Sequence, residues 1–199
     1  MTPKLSRFLL KTLAWLPVFY VLWYLTRESQ ALLMAAVLKP VIGLTFPVEV
    51  PSLQEGSVLT YLLQVPATLT ATGGEGSFLG KITLDVLLYS CGVPLFIAMM
   101  LSSLEDRRQW WSLLGGVAWL LLFEASALYV SLCYNAVNML HAIGADTHWL
   151  MGLPWNAHFS LFAQTTFALV FPSALAVMVW AAFNPVYFSL LPTPRSSRR

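Results

Sequence analysis

Four long apolar segments constrain the fold of this 199-residue chain more than any other feature. The hydrocarbon core of a bilayer takes about 20 residues of α-helix, and each segment is close to that length. Charged residues make up 10% of the chain, whereas soluble domains carry about 25%. The sequence therefore predicts a mainly α-helical membrane protein with four spans, at residues 8–25, 86–104, 113–134 and 159–183.

The positions of lysine and arginine predict the orientation of these spans. Basic clusters begin at Lys4, at Arg107 and at Arg195, that is, at the N-terminus, between the second and third spans, and at the C-terminus. Four spans place all three clusters on one side, which is the cytoplasm by the positive-inside rule. Both termini are therefore predicted to be cytoplasmic.

The first apolar segment also has the layout of a signal peptide, because Lys4, Arg7 and Lys11 precede it. Its apolar run is long, however, and Arg27 and Glu28 crowd the small-residue site that follows. We interpret it as an uncleaved anchor. The expected organisation is an N-terminus with the first span (1–26), an extracytoplasmic segment (27–85), three further spans (86–183) and a basic cytoplasmic tail (184–199).

The spacing of apolar residues changes along the extracytoplasmic segment. Residues 31–38 are helix-like and end near Pro40, a run too short to span, so it is expected on the membrane surface or as a cap on the bundle. The segment then predicts an antiparallel sheet of three or four strands packed on the bundle. The signals are the alternation of apolar and polar residues near Val48, strand-forming runs and a glycine turn. The runs are 60–65, 67–72 and 78–84, with the turn at 73–76. A docking surface and a plain ordered loop both fit this pattern.

One acidic residue, Glu124, is placed near the middle of a span. A carboxylate at that depth costs about 2.5–3.5 kcal/mol on insertion scales, so we expect it to face the interior of the bundle. At about 100° per residue, further polar residues continue a stripe from the membrane centre to the outer surface. The stripe consists of Glu124, Ser131, Asn135, Asn138 and His141. It either joins helices through hydrogen bonds or lines a polar cleft open to the outside.

Cys91 lies near the outer end of the second span, and His158 lies at a plausible depth immediately before the fourth. A Cys–His pair is the arrangement of a thiol peptidase or transpeptidase. A thiol in apolar surroundings is inert, however, and the adjacent Gly92 and Pro94 suit a helix kink or a close helix contact. We therefore favour packing for Cys91, ahead of a disulfide with Cys133 and ahead of catalysis with His158.

Two stretches carry a family resemblance. The opening Arg7–Pro17, RFLLKTLAWLP, is followed by Leu22–Tyr24, and the β-rich outer loop leads into Tyr89–Leu95, YSCGVPL. In these stretches, and in its layout of four spans, the chain resembles the exosortase H-associated membrane proteins.

The resemblance implies a bacterial inner-membrane accessory protein whose partners are an exosortase-type enzyme or its sorted substrates. Exosortases are multi-pass enzymes with a Cys, Arg and His active site, and the chain has no arginine in the outer half of its third or fourth span. That departure argues against its being the exosortase itself. Alternatives are a peptidase that uses Cys91 and His158, and a structural or transport subunit. With two cysteines, no metal-ligand cluster and no basic patch with interleaved aromatics, neither a cofactor nor nucleic acid is expected.

Overall fold

The computed structural model describes residues 3–46, 52–66, 77–103, 109–143 and 171–184. In these residues the chain is mostly helical and contains one three-stranded antiparallel sheet, which confirms the predicted combination of helices with a small sheet. Two helices are long and apolar enough to cross a membrane, Leu5–Leu25 and Gln109–Ala142. Two shorter apolar stretches, Val86–Ser102 and Phe171–Phe183, fall within the second and fourth predicted spans.

The first two helices, α1 (Pro3–Leu25) and α2 (Arg27–Thr45), meet at Thr26 without a loop. The Thr26 amide donates to the Leu22 carbonyl, and the Gln30 amide donates to the Thr26 carbonyl, both at 3.0 Å and both with α-helical spacing. The Thr26 hydroxyl also donates to the Leu22 carbonyl at 3.0 Å, and such back-bonding bends helices. α2 is therefore a bent continuation of α1.

The prediction that this second helix ends near Pro40 is wrong, because α2 continues to Thr45. A proline inside a helix removes one hydrogen bond and costs about 3 kcal/mol. The additional residues extend a four-residue spacing from Leu38 to Ile42 and Phe46, and all three side chains are buried. Burial contributes about 1.5–3 kcal/mol for each large apolar side chain, which offsets the cost of the proline.

The second predicted span contains two helices, α3 (Val86–Ser90) and α4 (Gly92–Ser102), which meet at Cys91. Pro94 has no amide hydrogen, so it cannot donate to the Ser90 carbonyl as a continuous helix requires. The break at Cys91 therefore follows from the local sequence.

The two remaining helices are α5 (Gln109–Ala142) and α6 (Phe171–Phe183). α5 has 34 residues, or about 51 Å at 1.5 Å per residue, whereas a bilayer core is about 30 Å thick. The predicted third span, 113–134, is thus shorter than the helix that contains it. α6 is the described part of the fourth predicted span.

The sheet consists of β1 (Ser52–Glu55), β2 (Val58–Pro66) and β3 (Ser77–Asp85), in the order β1–β2–β3. β2 and β3 contain the predicted strand-forming runs that begin at residues 60 and 78. β1 was not predicted, because its sequence SLQE has a single strongly apolar side chain. Gly56 begins the two-residue turn between β1 and β2 with a φ of 61°, a left-handed conformation that favours glycine.

One face of the sheet is apolar and closes a core against α2 and α5. Buried side chains alternate along β2 and β3, as expected for a half-buried sheet, and they form cross-strand pairs. The pairs are Leu59–Leu84, Tyr61–Ile82 and Leu63–Gly80. At Gly80 the strand passes so close to α5 that a Cβ atom would overlap the Met139 side chain.

Two clusters of buried side chains divide the described residues into two regions. The sheet module comprises α2, α3, the three strands and α5 from Ala125 onward. The helix bundle comprises α1, α4, α6 and α5 up to Leu120. Its core contains Phe8, Phe96, Met99, Met100, Leu113, Leu120, Ala176, Val179 and Trp180.

Several predicted elements lie outside the described residues. They are the alternation near Val48, the strand-forming run 67–72, the glycine turn 73–76, the part of the fourth span before Phe171 and the basic tail after Asn184.

Candidate functional site

A chain of polar contacts ties the α1–α2 junction to α3. The indole Nε1 of Trp23 donates to Ser90 Oγ at 2.9 Å, and the Ser90 hydroxyl donates to Gln30 Oε1 at 3.3 Å. Gln30 Nε2 donates to Thr26 Oγ1 at 2.9 Å and to the Trp23 carbonyl at 3.2 Å. We call Trp23, Thr26, Gln30 and Ser90 the corner network. It fixes the bend of the long helix and joins the sheet module to the bundle.

Cys91 lies next to the corner network, at the centre of a second group of polar side chains. Tyr20 of α1 donates to the Cys91 carbonyl at 3.1 Å. The Cys91 thiol lies 3.9 Å from the Leu88 carbonyl oxygen, and Ser173 of α6 and Glu124 of α5 are close enough to interact with it electrostatically. We call Tyr20, Cys91, Glu124 and Ser173 the polar cluster. Three helices and the α3–α4 junction each contribute one of its members.

Gly92 brings α4 into direct contact with the start of α6. A Cβ atom at this position would overlap the carbonyl oxygen of Pro172, which is backbone and cannot rotate aside. The close approach places Ser173 beside Cys91. The prediction that Gly92 permits a close helix contact is confirmed.

Glu124 is 2% exposed, and neither of its carboxyl oxygens has a hydrogen-bond partner among the described residues. The basic side chains in those residues lie in other places: at the start of α1, in α2, in β3 and at the end of α5. Leaving a buried polar group unpaired costs about 1–3 kcal/mol, and more for a charged group. The polar cluster therefore contains an acceptor that the described part of the chain does not satisfy.

The next member of the predicted stripe forms a direct link between helices. Ser131 is fully buried, and its hydroxyl lies 2.7 Å from the Tyr89 hydroxyl of α3. Asn135 is half-buried, and its side-chain amide donates to the Ser131 carbonyl in its own helix at 2.8 Å.

The outer members of the stripe are less buried. Asn138 is half-buried and His141 is exposed. His141 follows Glu124 by 17 residues, which rotates it by about 100° from Glu124 around the helix axis. The stripe therefore leaves the buried side of α5 before it reaches His141.

Within the described residues, no histidine accompanies the Cys91 thiol. His158 lies outside them, and His141 is near the exposed end of α5 in the sheet module. Cys91 and Cys133 are both free thiols. The same residues contain no group of three side chains able to hold a metal ion.

The sequence pattern predicted none of the corner network and half of the polar cluster. The missed residues are Tyr20, Trp23, Thr26, Gln30, Ser90 and Ser173. One signal was available, because Ser90 immediately precedes the kink at Cys91, where a helix break leaves backbone groups to be satisfied. The other contacts depend on which helices are neighbours.

The family model for exosortase H-associated membrane proteins matches residues 2–187. No curated protein and no solved structure matches the chain. The family match covers nearly the whole chain and includes both the sheet module and the bundle, which confirms the resemblance seen in the sequence.

Proposed function

We propose that this chain, which belongs to the exosortase H-associated membrane protein family, is an accessory subunit of a bacterial protein-sorting system. In this role it binds the sorting enzyme or the enzyme's exported substrates. The observation that carries the proposal is the family match over residues 2–187, because the family is named for an association with exosortase H. The sheet module supports the proposal, since it supplies protein surface beyond the helices that enter the bilayer.

The proposed arrangement has four spans in the inner membrane and both termini in the cytoplasm. α1 and α5 provide two spans, while α3–α4 and α6 lie within the other two. Basic clusters at Lys4, Arg107 and Arg195 support a common cytoplasmic side. Reporter fusions at residue 75 and at the C-terminus should report opposite sides, with residue 75 outside. An extracytoplasmic C-terminus would contradict the arrangement.

In this arrangement the sheet module stands on the outer side of the membrane, and α2 presents an apolar surface there. One side of α2 is buried against the sheet and α5. Another side carries four exposed apolar residues at helical spacing, which we call the α2 row: Leu33, Val37, Val41 and Leu44. Exposed contiguous apolar surface outside the bilayer is typical of protein interaction sites. We propose that the sorting enzyme contacts the α2 row.

Co-expression of the tagged chain with exosortase H tests this function. The enzyme should co-purify from solubilised membranes, and Val37→Glu should reduce its recovery about tenfold, equivalent to about 1.4 kcal/mol. Ala36→Glu is the matched control, because Ala36 is also exposed but lies roughly 100° from the centre of the α2 row. Recovery of exported proteins without the enzyme would instead favour substrate binding, and recovery of neither would contradict the proposal.

A further inference from the structure

Glu124 differs from the buried serines of the helices. Ser102 donates to the Ala98 carbonyl at 2.7 Å, and Ser103 accepts from the indole of Trp180 at 3.1 Å. Ser131 has its contact with α3. Among the described residues, Glu124 is the one buried carboxyl group, and both of its oxygens lack a partner. Polar residues inside a membrane normally pair with each other or with backbone.

From this contrast we propose that Glu124 accepts a hydrogen bond from a polar side chain on a transmembrane segment of the partner protein. The inference rests on the proposed function, because it requires a membrane partner. The donor is an amide, a hydroxyl or a protonated amine. Such a side chain is itself costly in lipid, so both proteins lose an unsatisfied group when they associate.

Exposed side chains lie beside the polar cluster, and the Cys91 thiol is 3.9 Å from the carbonyl oxygen of one of them, Leu88. Cys91 is half-buried, and its neighbour Leu88 is 52% exposed. Phe171, at the start of α6, is 38% exposed and stacks on Phe123 at a centroid distance of 5.5 Å. Phe123 precedes Glu124 in α5. A donor that approaches from this side would displace the side chains that now leave Glu124 only 2% exposed.

Depth in the membrane favours a protein donor over a lipid headgroup. Cys91 lies five residues beyond Val86, the start of the span, which places it about 8 Å below that start along a helix. Headgroups lie outside the hydrocarbon core, so neither their phosphate groups nor their amines lie at this depth. Ser173 and Cys91 add hydroxyl and thiol groups at the same depth, so the cluster offers several contacts to one polar side chain.

Glu124→Leu separates this role from hydrogen bonding within the chain. If Glu124 is unpaired in the isolated protein, leucine removes an unsatisfied group, and the melting temperature in detergent should stay equal or rise. Recovery of co-expressed exosortase H should fall about fivefold, as expected for the loss of one interhelical hydrogen bond of about 1 kcal/mol. Glu124→Gln keeps an acceptor, so its recovery should stay within about twofold of the wild type.

Ser126→Leu is the matched control, because Ser126 is exposed on α5 and donates to the Leu122 carbonyl of its own helix at 2.9 Å. Its recovery of exosortase H should equal that of the wild type. A photocrosslinking amino acid at position 88 should label exosortase H in the wild type and lose that label in the Glu124→Leu variant. Labelling of lipid alone would overturn the proposal.

Two further outcomes would overturn the inference without touching the proposed function. One is a lower melting temperature for Glu124→Leu, which would show that Glu124 is bonded within its own chain. The other is unchanged recovery and crosslinking in that variant. If the wild-type chain recovers no exosortase H, the proposed function fails, and this inference fails with it.

Discussion

The sheet module and the helix bundle achieve burial to different degrees. The apolar face of the sheet is covered by α2 and α5, and its central residues Leu59 and Leu63 are essentially inaccessible. In the bundle, only 11% of the apolar window of α1 is buried, compared with 39% for α5. Glu124 lies on α5 between the two regions, and neither of its carboxyl oxygens has a described partner. The sheet module therefore buries its apolar face within the chain, whereas much of the apolar surface of α1 in the bundle is left for lipid or a partner.

The difference follows from the solvent of each region. Apolar burial drives folding in water, but lipid chains are as apolar as leucine and give helices no such drive. α1 is instead held at specific points. At one end Phe8 stacks on Trp180 at a centroid distance of 5.0 Å. At the other end Tyr20 and Trp23 make hydrogen bonds to Cys91 and Ser90. A helix held in this way leaves most of its surface for lipid or a partner.

The largest expected effect is on the core of the sheet module. Leu59→Ala should lower the free energy of unfolding by about 2–5 kcal/mol, because it leaves a cavity in a closed core. Leu13→Ala on α1 should cost less than about 1 kcal/mol, because Leu13 is 67% exposed. Thermal unfolding of both variants in the same detergent measures the contrast. Equal losses of stability would show that the two regions do not differ in how completely their side chains are buried.

The second-largest loss of stability is expected for a change in the corner network. Trp23→Phe keeps an aromatic ring but removes the hydrogen bond to Ser90, so we expect a loss of about 1 kcal/mol. Because the network joins the two regions, the variant should also unfold in two steps where the wild type unfolds in one. Tyr24→Phe is the control, since Tyr24 is exposed. Circular dichroism against temperature checks both expectations.

A substitution at Tyr61 is expected to raise the free energy of unfolding rather than lower it. Its hydroxyl is buried without a described partner, so Tyr61→Phe should stabilise the protein by about 1 kcal/mol. Burial raises the pKa of Tyr61 from 10.0 to about 12, so the unfolded chain loses this proton first. Stability should therefore be full below pH 10 and fall as the pH rises through 12. Stability of the Tyr61→Phe variant should fall less steeply over this pH range. An unchanged pH profile would show that ionisation of Tyr61 does not cause the fall.

The smallest effect is expected at Cys91. Cys91→Ser keeps a hydrogen-bonding group of similar size next to Ser173, so protein level, stability and recovery of exosortase H should all match the wild type. Accumulation of unprocessed substrates despite normal protein levels would instead favour the peptidase that uses Cys91 and His158. A sorting assay in a deletion strain complemented with each form makes this comparison.

The two regions also differ in how far their structure can be predicted from sequence. Alternation identified β2 and β3, because one face of each strand meets a core and the other meets water. β1 was missed because only Leu53 marks it, and its existence depends on the turn at Gly56. Pro40 predicts a helix end by local propensity alone, which does not include the burial of Ile42 and Phe46 beyond it.

In the bundle, the sequence indicated the positions of the helices but not their polar contacts. Gly92 and Pro94 predicted the break and the close approach, since both effects are local to the backbone. The contacts of Trp23 with Ser90 and of Ser173 with Cys91 join residues far apart in the chain, so no spacing rule predicts them. Whether Glu124 has a partner depends on the neighbours of α5, which composition cannot supply.

The continuity of α1 and α2 through Thr26 makes the membrane itself part of the geometry of the sheet module. A helix that is longer or shorter than the local hydrocarbon thickness adjusts its tilt. Because α2 continues α1 through two α-helical hydrogen bonds, and because α2 forms one wall of the sheet core, a change in the tilt of α1 reorients the whole module. The orientation of the α2 row relative to the membrane should therefore vary with bilayer thickness. Vesicles with shorter or longer acyl chains should hold it at different angles.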